Sequence, residues 1–163
     1  MEVEMKIRGL MMDPVTNTPI VILKDAGGET VLPIWVGVYE ANAIALEIEK
    51  IAPPRPMTHD LLRNLITELG IQVERVVVTS LRDNTFFAVI EMRHSDGARM
   101  VLDSRPSDAI ALALRADCPI YVDMEVIKAS RNTLPTEESE EAEMAAGEEE
   151  WPDVIGEAGD LPM

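Results

Sequence analysis

Asn42-Ala43-Ile44-Ala45-Leu46-Glu47-Ile48 returns sixty-six residues further on as Asp108-Ala109-Ile110-Ala111-Leu112-Ala113-Leu114, with Ala-Ile-Ala-Leu in the same places. Working outward at that spacing, Ile34-Trp35-Val36 overlies Met100-Val101-Leu102. One residue of slippage then sets Asn17-Thr18-Pro19-Ile20 over Asn84-Thr85-Phe86-Phe87. Two alanine-rich helices can match by chance, but the elements around them also come in the same order. In the first stretch Val3, Met5 and Ile7 alternate with charged residues at strand period. Residues 19–23 and 31–36 flank the turn Ala26-Gly27-Gly28 as a hairpin. Ala41, Ile44, Ala45, Ile48 and Ile51 then fall on one helix face until Pro53-Pro54 stops it. In the second stretch residues 73–79, 85–92 and 98–102 read as strands, with a turn at Ser95-Asp96-Gly97, and residues 106–116 as a helix. The expected fold is therefore α+β: internally duplicated strand-hairpin-helix units forming mixed sheets packed with about three helices.

A helix between the two stretches lies outside this pattern. Thr58 is its expected N-cap, Asp60 sits in its first turn, and Met57 and Leu62 are placed as a hydrophobic staple, with Gly70 as the stop. Leu61, Leu62, Leu65, Ile66 and Leu69 give it a broad apolar face that needs cover from a sheet or a partner subunit, which makes a homodimer the expected assembly. After the last helix a short strand is expected at residues 119–122, with Val126 and Ile127 continuing its apolar signal.

Charge divides the chain. From Arg131 to Met163 one basic residue faces eleven acidic ones, which leaves only six of the sixteen net negative charges to everything before. The expected organisation is one domain over residues 1–130 and an acidic, disordered tail over 131–163, because such a composition buries too little apolar surface to offset the entropy of ordering. Trp151, Val154 and Ile155 form a small apolar cluster in that tail, which serves either to solubilise or to meet a basic partner. The acidic balance argues against a protein that coats nucleic acid through bulk charge. One cysteine, Cys118, excludes an internal disulfide, and no run approaches the length of a membrane span; the expectation is a cytoplasmic protein with no membrane association. Walker, dinucleotide, HExxH, zinc-cysteine and GxSxG motifs are all missing.

The chemistry-bearing residues cluster at the helix entrances. The first entrance reads Gly37-Val38-Tyr39-Glu40-Ala41-Asn42 and the second Asp103-Ser104-Arg105-Pro106-Ser107-Asp108. Two carboxylates, an arginine and two hydroxyls at a strand-to-helix turn can hold a divalent cation and grip a phosphate. The competing reading is structural: Asp, Ser and Pro suit any helix start, and Asp103 could simply pair with Arg105. His59 can act as a base or a ligand near neutral pH, whereas Asp60 and Glu40 can equally do no more than complement helix dipoles. His94, beside a turn, and Cys118, with no Cys or His close by in the chain, carry no assigned function.

Three motifs together, Leu32-Pro33-Ile34-Trp35-Val36-Gly37 leading to Glu40-Ala41, Arg55-Pro56-Met57-Thr58-His59-Asp60-Leu61-Leu62, and the run from Leu102 through Asp103-Ser104-Arg105-Pro106-Ser107-Asp108 to Leu112, resemble the bifunctional nuclease domain family of bacteria and plants. The resemblance extends from about Met1 to Lys128. It implies an internally duplicated α+β domain and an activity on DNA and RNA of the kind plant members carry. Given such an activity, side-chain chemistry assigns Asp103 and Asp108 to a Mg2+ or Mn2+ ion or to water activation, Arg105 and Ser107 to phosphate, and His59, Asp60 and Glu40 to completing the site. The resemblance itself does not supply those roles. A noncatalytic regulatory or interaction module, and a small-anion sensor, stand as alternatives on the same fold.

Overall fold

The computed structural model describes residues 1–133; of the tail expected over 131–163, residues 131–133 belong to a helix and the remainder, from residue 134 onward, lies outside the described residues. Strands β1 (Glu2–Met12), β2 (Pro19–Asp25) and β3 (Val31–Trp35) are followed by helices α1 (Val38–Ile48) and α2 (Thr58–Glu68). Strands β4 (Ile71–Arg82), β5 (Thr85–His94) and β6 (Arg99–Ser104) precede helix α3 (Pro106–Ala116), strand β7 (Ile120–Asp123) and helix α4 (Met124–Thr133). The chain is α+β, with all seven strands in one mixed sheet ordered β3-β2-β1-β7-β4-β5-β6.

Each half thus runs three antiparallel strands into a helix. The turn residues correspond as well: Asn17 and Asn84 both adopt the left-handed conformation, φ 56° and 59°. Asp83 and Asn84, both at positive φ, make the tight two-residue link between β4 and β5 that right-twisted strands favour. Short β7 joins the halves, antiparallel to β1 and parallel to β4. At one open edge, Pro33 in β3 presents no N–H where another strand would dock.

One core runs through both halves, filled by Met5, Leu23, Leu32, Ile34, Ile44, Val76, Val78, Ile110 and Val122, each at most 2% exposed. Helices α1 and α3 pack against each other, and the buried Ala41, Ala43, Ala45, Ala109, Ala111 and Ala113 keep side chains between their backbones small.

The structure departs from the sequence reading in three places. Val126 and Ile127 belong to a fourth helix, and with Ser130 they form its buried side at helical spacing. In α2 the capping position is Met57, with extended backbone, and Thr58 is already helical; the Asp60 carboxylate accepts the Met57 N–H at 2.9 Å. The broad apolar face of α2 is not covered by the sheet. Leu61, Leu62, Leu65 and Leu69 are 42–61% exposed, while Ile66 alone of that set packs on the core. The helix is held instead by its polar first turn, by Ile66 and by Arg63, whose Nη1 donates to the Arg115 carbonyl at 3.4 Å. Among the described residues no helix is long and apolar enough to cross a membrane.

Candidate functional site

Helices α1 and α3 each begin directly after the third strand of their half, and the two starts meet. Arg105, at the N-cap of α3, reaches across: its Nη2 donates to Glu40 Oε1 in the first turn of α1 at 2.5 Å. The same guanidinium holds Asp108, with Nε and Nη2 at 2.9 and 2.8 Å from Oδ2. The two carboxylates keep Arg105 firmly charged, Asp108 contributing most. The other Asp108 oxygen, Oδ1, lies 2.9 Å from His59 Nε2. A carboxylate beside an arginine only accepts, so Nε2 carries the proton and Nδ1 is left as the basic nitrogen. Nδ1 has no hydrogen bond among the described residues. Since no fully buried polar side-chain atom there lacks a partner, Nδ1 retains contact with solvent although the ring is only 10% exposed.

The first turn of α2 lies along α3, with His59 at one end and Asp60 toward the other. Asp60 Oδ1 accepts from Arg115 Nε at 2.7 Å. Arg115, 2% exposed at the side chain, spends its remaining donors on the carbonyls of Ala111, 2.9 Å, and Ala43, 3.0 Å. One buried guanidinium therefore ties α1, α2 and α3 together. Burial alone would raise the Asp60 carboxyl, but the Met57 N–H and the hydrogen bond and charge of Arg115 outweigh it and hold the carboxyl below its usual range. Sequence reasoning passed over Arg115. The one cue in the sequence is spacing, an arginine four residues after Ala111 in the alanine-rich run of α3.

Gly37 was also passed over as a functional position. A Cβ there would overlap Glu40 Oε2, so the missing side chain is what lets Glu40 fold back over the start of α1 toward Arg105. Gly37, Arg105, Pro106 and Ser107 line a cleft of about 540 Å³, shared with Ile34, Trp35, Leu81, Phe86 and neighbouring residues.

Of the residues singled out from sequence, the structure brings Glu40, His59, Asp108 and Arg105 into one connected network, with Asp60 behind His59 and Ser107 buried at the cleft. Asp103 stands apart. It pairs in register with Val89, between the core-facing Ala88 and Ile90, so its side chain points to the sheet face away from α3. It is exposed and makes no ion pair with Arg105 or any other described residue. Among the described residues no group of three or more His, Cys, Asp or Glu side chains is placed to hold a metal ion. Both Asp108 oxygens are already engaged, so the donors as arranged do not fit a Mg2+ or Mn2+ ion held between Asp103 and Asp108.

Residues 21–134 match the family model of the bifunctional nuclease domain. The chain belongs to that family. An uncharacterised protein of Mycobacterium tuberculosis is 40% identical over 147 residues, covering 90% of this chain and 87% of its own length. Bifunctional nuclease 1 of Oryza sativa subsp. japonica is 24% identical over 118 residues, 71% of this chain but only 36% of the rice protein. Bifunctional nuclease 1 of Arabidopsis thaliana is 25% identical over 142 residues, spanning 81% of this chain and 44% of the plant protein. The plant members of the family thus carry long regions with no counterpart in the matched part of this chain.

Proposed function

We propose that this bifunctional nuclease domain hydrolyses phosphodiester bonds of both DNA and RNA, with His59 as the base. The observation that carries the reading is the chain of contacts Glu40–Arg105–Asp108–His59, which sets an oriented imidazole beside a charged guanidinium at two helix starts. Arg105 and the free N–H groups of α1 and α3 suit a phosphate and the extra negative charge of its transition state. Water gives its proton to His59 Nδ1 and its oxygen bonds phosphorus. The opposite phosphorus–oxygen bond breaks, and the leaving oxygen takes a proton from solvent. Because water is the nucleophile, no 2′-hydroxyl is needed, which accommodates both nucleic acids. The names of the rice and Arabidopsis relatives support the same substrate class.

The test is hydrolysis of single-stranded DNA and RNA by protein purified identically at high salt. Loss of a general base removes about 10²- to 10⁴-fold of rate, so His59→Ala and Asp108→Asn fall by that order while Asp103→Ala stays at wild-type rate. Equal rates in all three variants, with folded circular dichroism, would sink the assignment. Mg2+, Mn2+ and chelator form separate arms, since a cation requirement in this proposal belongs to the substrate phosphates and not to Asp103.

A second reading, a noncatalytic interaction module, draws on the fact that the carboxylates of Glu40, Asp60 and Asp108 are all engaged in ion pairs, as a purely structural brace would have them. It expects those variants to lose stability and no activity. A cytoplasmic location, a homodimer formed through the exposed α2 leucines, and a basic partner for the acidic C-terminal segment complete the proposal.

A further inference from the structure

The two edges of the sheet are finished differently. Pro33 interrupts β3, whereas β6 keeps an unbroken register with β5 from Arg99 to Ser104 and carries no proline, lysine or bulge. Val101 and Leu102 on this edge are 66% and 51% exposed, which makes it the kind of edge that recruits another strand. The hairpin bond from the His94 N–H to the Ala98 carbonyl, 2.8 Å, sets the phase of its backbone. In an antiparallel pair every second residue bonds across, so Met100, Leu102 and Ser104 turn their N–H and C=O groups to β5. Arg99, Val101 and Asp103 therefore turn theirs outward.

The charges of β6 are left over as well. On the sheet face away from the helices, Arg99, Val101 and Asp103 lie beside their β5 partners Arg93, Glu91 and Val89. There Arg75 is engaged by Glu91 and Glu2, and Arg93 by Glu74. Arg99 and Asp103 are exposed and have no ion pair among the described residues, and Arg99 stands opposite the like-charged Arg93. Four positions apart on an extended strand, the two are about 13 Å from each other, too far to pair. Reversed against itself, however, the strand is complementary. With Val101 opposite Val101 of a second copy, Arg99 falls opposite Asp103 at both ends, and on the helix side Met100 falls opposite the exposed Leu102. The residues so paired are those with outward backbone groups, so hydrogen-bond phase and charge pattern select the same register. A shift by two residues sets Arg99 against Val101 and loses both charge pairs. We infer that β6 is a dimerisation edge: two copies pair antiparallel about a two-fold axis at Val101 and join their seven-stranded sheets into one. The inference does not rest on the nuclease reading. It uses a surface separate from the α2 leucines, so association through those would add to this contact and not replace it.

The experiment is sedimentation velocity of the full chain over a concentration series. Wild type shows a reversible monomer–dimer equilibrium of micromolar strength, because six residues a side make a small interface. Arg99→Asp and Asp103→Arg each oppose like charges at both ends of the pairing and weaken dimerisation at least about 10-fold. Mixed in equal amounts, the two variants recover it, since every pair is then opposite in sign. The double variant Arg99→Asp/Asp103→Arg returns to within roughly 3-fold of wild type. Misfolded single variants could not give that recovery. In amide exchange the Arg99, Val101 and Asp103 N–H groups are protected in the dimer and exposed on dilution. A monomer at every concentration overturns the inference, which is the result if the chain's own C-terminal segment covers β6. Single variants that dimerise like wild type overturn it too. So does a loss of association in Leu65→Gln that Arg99→Asp does not reproduce, since that places the contact on α2.

Discussion

The entrances to α1 and α3 occupy matching places, each following the third strand of a three-stranded antiparallel set, and yet they contribute opposite things. The first supplies an absence, Gly37, and a single carboxylate, Glu40. The second supplies a cation, a proline fixed at the first helical position and a carboxylate that orients His59. The first entrance makes room and the second fills it, with Arg105 spanning the gap at 2.5 Å. A shared backbone order is thus compatible with a strict division of labour, because it fixes where side chains emerge and leaves open which ones do.

The division can be broken most severely at Arg115, which holds the α1 carbonyl of Ala43 and the α2 carboxylate of Asp60 from within α3. Arg115→Met leaves Asp60 without its buried partner and costs about 3–5 kcal/mol of stability, measured by urea unfolding. Next in size is Asp60→Asn, which keeps one amide oxygen as an acceptor but removes the negative charge opposite the buried Arg115, at a cost of up to about 3 kcal/mol at pH 7. Its pH dependence has a definite sign. The folded-state carboxyl is depressed, so its contribution is complete above the ordinary aspartate value of about 4 and is lost as pH falls through the lower folded value. Wild type should therefore lose its advantage over Asp60→Asn on acidification, as comparative unfolding at pH 7 and pH 3 would show.

Gly37→Ala sharpens the comparison at lower cost. The new methyl displaces the Glu40 carboxylate, leaving Arg105 with Asp108 alone, and an exposed ion pair of this kind contributes under about 1 kcal/mol. A wild-type chemical shift for the Glu40 carboxylate in the variant would contradict that displacement. The smallest effect belongs to the α2 leucines: Leu61→Gln or Leu65→Gln shifts monomer stability by less than about 0.5 kcal/mol because both are already in water. A larger loss that grows with protein concentration would instead reveal a second copy covering them.

The sequence made much of this legible, for identifiable reasons. Strands with strict alternation and helices with a clear stop, such as α1 before Pro53-Pro54, announce themselves locally. The central place of β7 does not, since four residues carry no sign of pairing with β1, more than a hundred positions away. Val126 and Ile127 suit a strand or a helix equally until Ser130 is seen on the same buried side. At the site, residue type pointed to His59, Asp108, Arg105 and Glu40, but only the register of β6 against β5 shows that Asp103 faces elsewhere. Arg115 was hidden by its class, because a lone arginine late in a helix ordinarily reads as a solvated end.

The position of β7 has a consequence for how the protein is made. Residues 120–123 form the seam between β1 and β4, so a nascent chain carries both three-stranded sets with their inner edges open until nearly the whole described domain has left the ribosome. Stalling or truncation before Ile120 would release two unzipped sheets with unpaired backbone on facing borders, the kind of surface that chaperones capture and that otherwise recruits strands from neighbouring chains.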